Sequence, residues 1–257
     1  MRLKEVLARG ELTRVFCVGQ LCHPKVVEMV GLLGGYDAVW LDQEHAGLSV
    51  EQVEHATRAA RATGMETFVR LAPTDYATVM RPLEAGAGGI MAAQVRNAGQ
   101  AEQVMQWAKF HPRGLRGVNS TGIDGRYGTL PLAEYMRRAN AESFIAIQIE
   151  HAEAVADVEQ IAAVRDVDLL FVGPADLSQS MGIPGDWDHP RLWQAVERVA
   201  EAARKHGIHW GILPQNVSHA TRCVEMGCRM LSLGIDTWAV QKGLAASRAE
   251  FGGFFQR

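Results

Sequence analysis

Short apolar runs alternate with amphipathic stretches from one end of the chain to the other. Runs at Val15–Gly19, Ala38–Leu41, Thr67–Arg70, Gly89–Ala92, Phe144–Ile149, Leu169–Val172, His209–Leu213 and Met230–Leu233 read as strands. Helical periodicity follows each, over Pro24–Leu33, Ser49–Thr63, Asp75–Ala85, Ala98–Lys109, His151–Ala163, Pro190–His206, Val217–Met226 and Thr237–Phe251. Local signals agree. Ser49 precedes an acidic first turn, Pro24 suits a first helical position, and Gly64, Gly86, Gly207 and Gly227 fall just past helical runs. Eight strands alternating with helices predict an α/β fold with a parallel sheet. A length of 257 residues suits closure into one (β/α)8 TIM barrel, a single domain over 1–257. Residues 1–10 read as a short amphipathic helix closed by Gly10. One segment breaks the rhythm: residues 111–129 are rich in glycine and polar groups, ahead of a further helix at Pro131–Asn140. Long loops in compact domains tend to be functional, so this one is expected at the barrel mouth, shared with a neighbouring subunit.

Four of the apolar runs stop on polar residues. Ala38-Val39-Trp40-Leu41 runs into Asp42-Gln43-Glu44-His45, and Thr67-Phe68-Val69 into Arg70. Phe144-Ile145-Ala146-Ile147 runs into Gln148-Ile149-Glu150, and Leu169-Leu170-Phe171-Val172 into Gly173-Pro174-Ala175-Asp176. The C-terminal strand ends of a parallel barrel converge on one mouth, so His45, Arg70, Glu150 and Asp176 are predicted to meet there. One imidazole, one guanidinium and two carboxylates suit a divalent metal that holds an oxyacid.

Each part of that constellation has a competing structural explanation. Glu150 and Asp176 are candidate ligands for a hard cation, and two carboxylates leave positions open for a chelating substrate. Each also fits a helix cap, Asp176 ahead of Leu177-Ser178-Gln179 and Glu150 at a helix start. His45 suits proton transfer near neutrality, with Glu44 or Asp42 to orient it, although the same segment fits a solvated loop. Arg70 closes an apolar strand and needs an anionic partner: a substrate carboxylate, a developing enolate, or a structural pair with Glu44, Glu84 or Glu150. His23 and His151 stand near enough to the mouth to reach it, while His55, His206, His209 and His219 fall on helices or away from it. Lys4, Lys25, Lys109, Lys205 and Lys242 all fall on helices or their ends, which leaves no Schiff-base lysine at a strand end. The segment Leu233-Gly234-Ile235 is too poor in glycine and polar groups for a phosphate site.

Composition narrows the classes further. A net charge of −3 offers no global basic field for nucleic acid, and no apolar run reaches membrane-spanning length. Cys17, Cys22, Cys223 and Cys228 lack Cys-x-x-Cys spacing and are expected as free thiols in a reducing cytoplasm.

At these residues the chain resembles the class II (metal-dependent) pyruvate aldolases of the HpcH/HpaI family, which include 4-hydroxy-2-oxoheptanedioate and 2-keto-3-deoxy-L-rhamnonate aldolases. The likeness runs from Gly34-Gly35-Tyr36-Asp37 through Asp42-Gln43-Glu44-His45, Val69-Arg70, Arg113-Gly114-Leu115-Arg116-Gly117-Val118 and Gln148-Ile149-Glu150 to Gly173-Pro174-Ala175-Asp176-Leu177-Ser178. It implies a barrel of the phosphoenolpyruvate/pyruvate superfamily type, whose last helix is exchanged with a partner in a hexamer built as a trimer of dimers. It also implies that Glu150 and Asp176 bind magnesium, manganese, cobalt or nickel. Gln148, Gly173, Ala175, Arg70 and Leu213 would contact the oxoacid, His45 would act as base with Asp42 and Glu84 in support, and Arg70 would stabilise the enolate. Three positions depart from the family pattern: Glu84 stands for an aspartate, Asn119 for a glycine and His151 for a threonine.

The resemblance implies a reversible lyase that cleaves a 4-hydroxy-2-oxoacid to pyruvate, or a close analogue, and an aldehyde. The aldehyde would be selected by the 111–129 loop and groups near His23, Trp210 and Leu213. Two alternatives stay open: a CoA- or phosphoenolpyruvate-type lyase on the same site, with Arg113, Arg116 and Arg126 as a basic rim, and a non-catalytic oxoacid-binding barrel.

Overall fold

The computed structural model describes residues 3–255. Eight strands close a barrel in sequence order, β1-β2-β3-β4-β5-β6-β7-β8, and each pairs in parallel with its neighbours. They span Thr13–Val18, Ala38–Asp42, Glu66–Leu71, Gly89–Ala92, Phe144–Ile149, Leu169–Val172, His209–Ile212 and Met230–Ile235. The helices are α1 (Leu3–Ala8), α2 (Pro24–Leu33), α3 (Val50–Ala62), α4 (Tyr76–Glu84), α5 (Ala98–Ala108), α6 (Leu132–Glu142), α7 (Ala152–Ala156), α8 (Val158–Ala162), α9 (Pro174–Ser180), α10 (Pro190–His206), α11 (Val217–Glu225) and α12 (Asp236–Glu250).

Strand periodicity sorts the side chains into two layers. Val15, Cys17, Trp40, Phe68, Met91, Phe144, Ala146, Leu169, Phe171 and Met230 fill the barrel, and Leu3 and Leu7 of α1 close its N-terminal end. The opposite-parity residues, among them Ile90, Ile145, Leu170 and Ile212, pack outward on the helices. Continuing the inward parity past the apolar filling brings Asp42, Arg70 and Gln148 to the C-terminal end. Geometry at the element ends matches the chain's signals: Ser49 and Gln52 form a reciprocal capping box, and Gly207 closes α10 at φ 66°.

The structure corrects four expectations. The helix expected over His151–Ala163 is two helices broken at Asp157, whose carboxylate accepts from Ala98 N–H at 2.7 Å instead of continuing the turn. Residues 174–180 form α9, and Asp176 lies in its first turn with Gly173 at the cap, so Asp176 is not itself the cap. The 111–129 loop is not at the mouth. It connects α5 to α6 and lines a cavity of about 280 Å3 with Gly88 and Phe144, at the N-terminal strand ends. α5 runs back from the end of β4 toward the strand starts, so the loop that follows it begins at that end. Finally, Trp210 is buried in the helix-facing layer, away from the mouth.

Candidate active site

The site grows from the inward faces of β2, β3 and β5. Trp40 forms its floor, with its indole Nε1 donating to Ser232 Oγ at 2.9 Å, and the Arg70 guanidinium lies 4.8 Å above the Trp40 ring centroid. In-register pairing of Asp42 with Arg70 sets their side chains side by side. Arg70 Nε and Nη2 donate to the two Asp42 oxygens at 3.1 and 2.6 Å, a two-point clasp that leaves the guanidinium little rotational freedom. Asp42 Oδ1 also accepts from the N–H groups of Glu44 and His45, so one carboxylate orients the arginine and folds the turn carrying the histidine.

Glu44 stands between the Arg70 guanidinium and the His45 imidazole. Its Oε2 lies 3.4 Å from Arg70 Nε and 3.7 Å from His45 Nε2, and that oxygen is buried without a hydrogen bond. The His45 side chain is 59% exposed, so the imidazole reaches into the open mouth.

Across the mouth, Glu150 is completely buried just past β5. Its Oε1 accepts from Gln94 N–H at 2.6 Å and its Oε2 from the Gln148 amide. Burial comes first in pushing its carboxyl up to about 7, and the like charges of Glu44 and Asp176 add to that. Asp176 presents a second carboxylate from α9. Gly173, between β6 and α9, allows this approach: a Cβ there would sit 2.8 Å from Gln148 Nε2 and 3.0 Å from Glu150 Oε2. Gln148 Oε1 is buried with no partner.

The donor set fits a hard divalent ion. Two carboxylates converge, one of them held against its own ionisation, next to an unpartnered amide oxygen. No group of three or more histidine, cysteine or acidic side chains forms a metal cage among the described residues. Two protein carboxylates with the remaining positions open suit an ion that keeps water or binds substrate.

The remaining candidates divide. Leu213 packs against the barrel interior just beyond β7 and so borders the mouth. Ala175 N–H falls in the first turn of α9, where no helical carbonyl is available to it. The Gly173 N–H is already spent on Ile149 O at 3.2 Å, so this residue contributes room for its neighbours and not a donor. Glu84 is set apart from His45 of its own chain. It ends α4 at the opposite end of the barrel, with Asn119, Arg116 and Asp124 around it, because a helix after a strand runs back toward the strand's start. Burial, the leading influence, raises its pKa there. His23 caps α2, its Nδ1 accepting from Lys25 N–H. The proposed basic rim is absent from the mouth: Arg113 pairs with Glu102 and Asp166, Arg116 with Asp124, and Arg126 lines the N-terminal cavity.

One residue beyond those predicted joins the site, together with His151, a weaker candidate of the sequence. Gln94, two residues past β4, bonds both Glu150 and Glu44; its signal was only a polar residue after a four-residue strand. His151 bonds Gln94 Oε1 through Nε2 at 2.9 Å. At the end of β8 the Asp236 carboxylate takes the N–H groups of Gly19 and Leu21 at 2.8 Å each. The buried Lys109 is tied to Asn140 and Ser143 carbonyls near the start of β5, remote from this chemistry.

Known proteins share this architecture and much of this sequence. The chain is 31% identical over 253 residues to a hydroxypyruvate/pyruvate aldolase of Pseudomonas aeruginosa, covering 98% of this chain and 93% of that one. It is 32% identical over 219 residues to 4-hydroxy-2-oxo-heptane-1,7-dioate aldolase of Escherichia coli, covering 85% and 83%. The crystal structure of an HpcH/HpaI aldolase from Desulfitobacterium hafniense DCB-2 superposes with a TM-score of 0.91 at 32% identity, covering 97% and 96%. Residues 15–242 match the family described as HpcH/HpaI aldolase/citrate lyase, and the chain belongs to that family.

Proposed function

We propose that this protein is a metal-dependent aldolase that reversibly cleaves a 4-hydroxy-2-oxoacid to pyruvate, or a close analogue, and an aldehyde. The observation that carries the reading is the convergence of Glu150 and Asp176 opposite the Arg70–Asp42 clasp and the His45 imidazole. Glu150 and Asp176 would hold magnesium, manganese, cobalt or nickel. A bound divalent ion supplies Lewis acidity and a template for a chelating oxoacid.

The chain's own groups do the rest. The Gln148 amide and Ala175 N–H orient the oxoacid, and Leu213 walls its apolar side. His45 takes the proton from the 4-hydroxyl. The C3–C4 bond breaks, its electron pair moves into the pyruvate half as an enolate, and C4 leaves as the aldehyde. Arg70, already oriented by Asp42, meets the enolate's charge without reorganising. Protonation at C3 completes pyruvate, and the reverse sequence joins the two. The chain acts as one domain over 1–257, in the cytoplasm, where Cys17, Cys22, Cys223 and Cys228 stay reduced; all four are free thiols here. No helix among the described residues is long and apolar enough to cross a membrane. It works as a homo-oligomer, a hexamer built as a trimer of dimers through exchange of α12, which stands away from its own barrel.

The test is loss of pyruvate methyl protons in deuterated water, with and without manganese, for the wild type, Glu150→Ala and Asp176→Ala. Metal-dependent exchange abolished by both substitutions supports the reading, and an aldehyde panel then identifies the second product. Absence of exchange with every metal overturns it.

A further inference from the structure

We infer that Gln94 is a positioning residue that ties the proton-transfer side of the mouth to the metal-facing side. This rests on the aldolase reading above. Three hydrogen bonds radiate from this one residue: its N–H donates to Glu150 Oε1 at 2.6 Å, its amide Nε2 to Glu44 Oε1 at 3.0 Å, and its amide oxygen meets His151 Nε2 at 2.9 Å. No other described residue bonds both carboxylates.

The consequence falls on Glu44. With Oε1 held by Gln94, its other oxygen is left facing Arg70 and His45 together, at 3.4 and 3.7 Å, and bonded fully to neither. Released from Gln94, Glu44 is free to close on the nearer Arg70 guanidinium and to abandon His45. An imidazole that is 59% exposed has little else to hold its ring, so Gln94 acts on His45 through Glu44. The backbone supports a functional origin. Gln94 adopts φ 60°, a left-handed conformation that costs a non-glycine residue stability and is tolerated where function requires the side chain. Glycine would occupy this position with less strain, but could not bridge the two arms.

Two variants separate positioning from structure. Gln94→Met keeps the side-chain reach and removes both amide contacts; Gln94→Gly relieves the backbone and removes them too. Each is expected to lower kcat for oxoacid cleavage about tenfold, the scale of one hydrogen bond to a charged group, with KM for the oxoacid held within about twofold. Gln94→Gly is expected to unfold at a temperature no lower than the wild type. In a Glu44→Ala background, Gln94→Met is expected to cost no further activity. Nuclear magnetic resonance of the His45 ring, assigned with His45→Asn, gives a readout independent of turnover: Gln94→Met shifts the ring signals in the metal-free protein. Full kcat in Gln94→Met, an equal loss without Glu44, or unmoved His45 signals would overturn the inference. Wild-type protein that neither exchanges pyruvate protons nor cleaves oxoacids defeats the aldolase reading instead, while the His45 signals still decide what Gln94 does.

Discussion

Arg70 and Glu150 carry opposite electrostatic burdens, and each leads to its own prediction. Arg70 is mostly buried but clasped by Asp42 at 2.6 and 3.1 Å, so its charge is secured and aimed before substrate arrives. Arg70→Ala is expected to lower kcat by about a hundredfold to a thousandfold with a smaller change in KM, the pattern for a group that meets charge formed in the transition state. Arg70→Lys should fail almost as badly in the same steady-state assay, because an ammonium cannot make the two-point clasp. Glu150 is the reverse case, a carboxylate whose ionisation the metal-free fold resists. Burial chiefly, then Glu44 and Asp176, lift its pKa from the ordinary 4.5 to about 7. A folded-state pKa above the unfolded one means the native state binds the extra proton. Stability of the metal-free protein therefore falls as pH rises from 4.5 to 7, and the penalty is fully present above 7. Its upper bound is about 3 kcal/mol. Urea unfolding of chelator-treated protein should find Glu150→Gln more stable than wild type at pH 7.5, with the gap closing by pH 5. A gap that persists or widens at pH 5 would assign the difference to packing.

The elements that aim these groups depend on close approach at the strand ends, most sharply where β6 turns into α9. Gly173→Ala places a methyl group 2.8 Å from Gln148 Nε2 and 3.1 Å from Glu150 Cβ, on side chains with no spare volume around them. The variant is expected to fold and to lose at least about tenfold in manganese affinity by calorimetric titration, the scale of a disturbed ligand-supporting contact. Manganese bound as tightly as by the wild type would show that Gly173 is there for the chain alone. How far such elements were legible follows from the kind of signal each one leaves. All eight strands were readable because each is a short apolar run, and Asp42, Arg70 and Glu150, polar stops of three of them, proved to share the mouth. Gln94 was not readable, because a lone polar residue after a strand says nothing of a left-handed backbone that swings its side chain across the barrel. The 111–129 loop was misplaced for a different reason: its composition suggested function, while its position after α5, a helix that runs back from β4, already assigned it to the far end. Glu84 followed the same path, and its hydrogen bond to Asn119 places two of the departures from the family pattern together at that end.

Across the whole molecule, the longest run of exposed positions is the last helix. Everything up to Asp236 is fastened: its buried carboxylate holds the N–H groups of Gly19 and Leu21, tying the end of β8 to the loop after β1. Beyond Asp236 the chain departs. Residues 238–250 of α12 are all exposed, including Trp238, Val240 and Leu244, and Phe251, Phe254 and Phe255 follow in the open. A fifteen-residue helix with no packed face is marginal in water, and apolar side chains this concentrated mark an interface. The barrel shows the matching deficiency in the sector that α12 should cover. There Leu233 is 39% exposed beside Tyr36, whose hydroxyl donates to the Leu233 carbonyl, and Leu32 and Leu33 of α2 are exposed. The proposed reciprocal exchange, each α12 laid on the other barrel, would cover the exposed face of α12 by a two-fold operation. Leu244→Asp and Phe251→Asp, on the exposed C-terminal half of the helix and just beyond it, are expected to reduce the mass seen by light scattering. In the wild type the unfolding midpoint should rise with protein concentration, as it must when association stabilises only the native state. In the variants that dependence should vanish and the midpoint should fall. A wild type that scatters as a monomer at every concentration would mean α12 is covered by something other than its own copy.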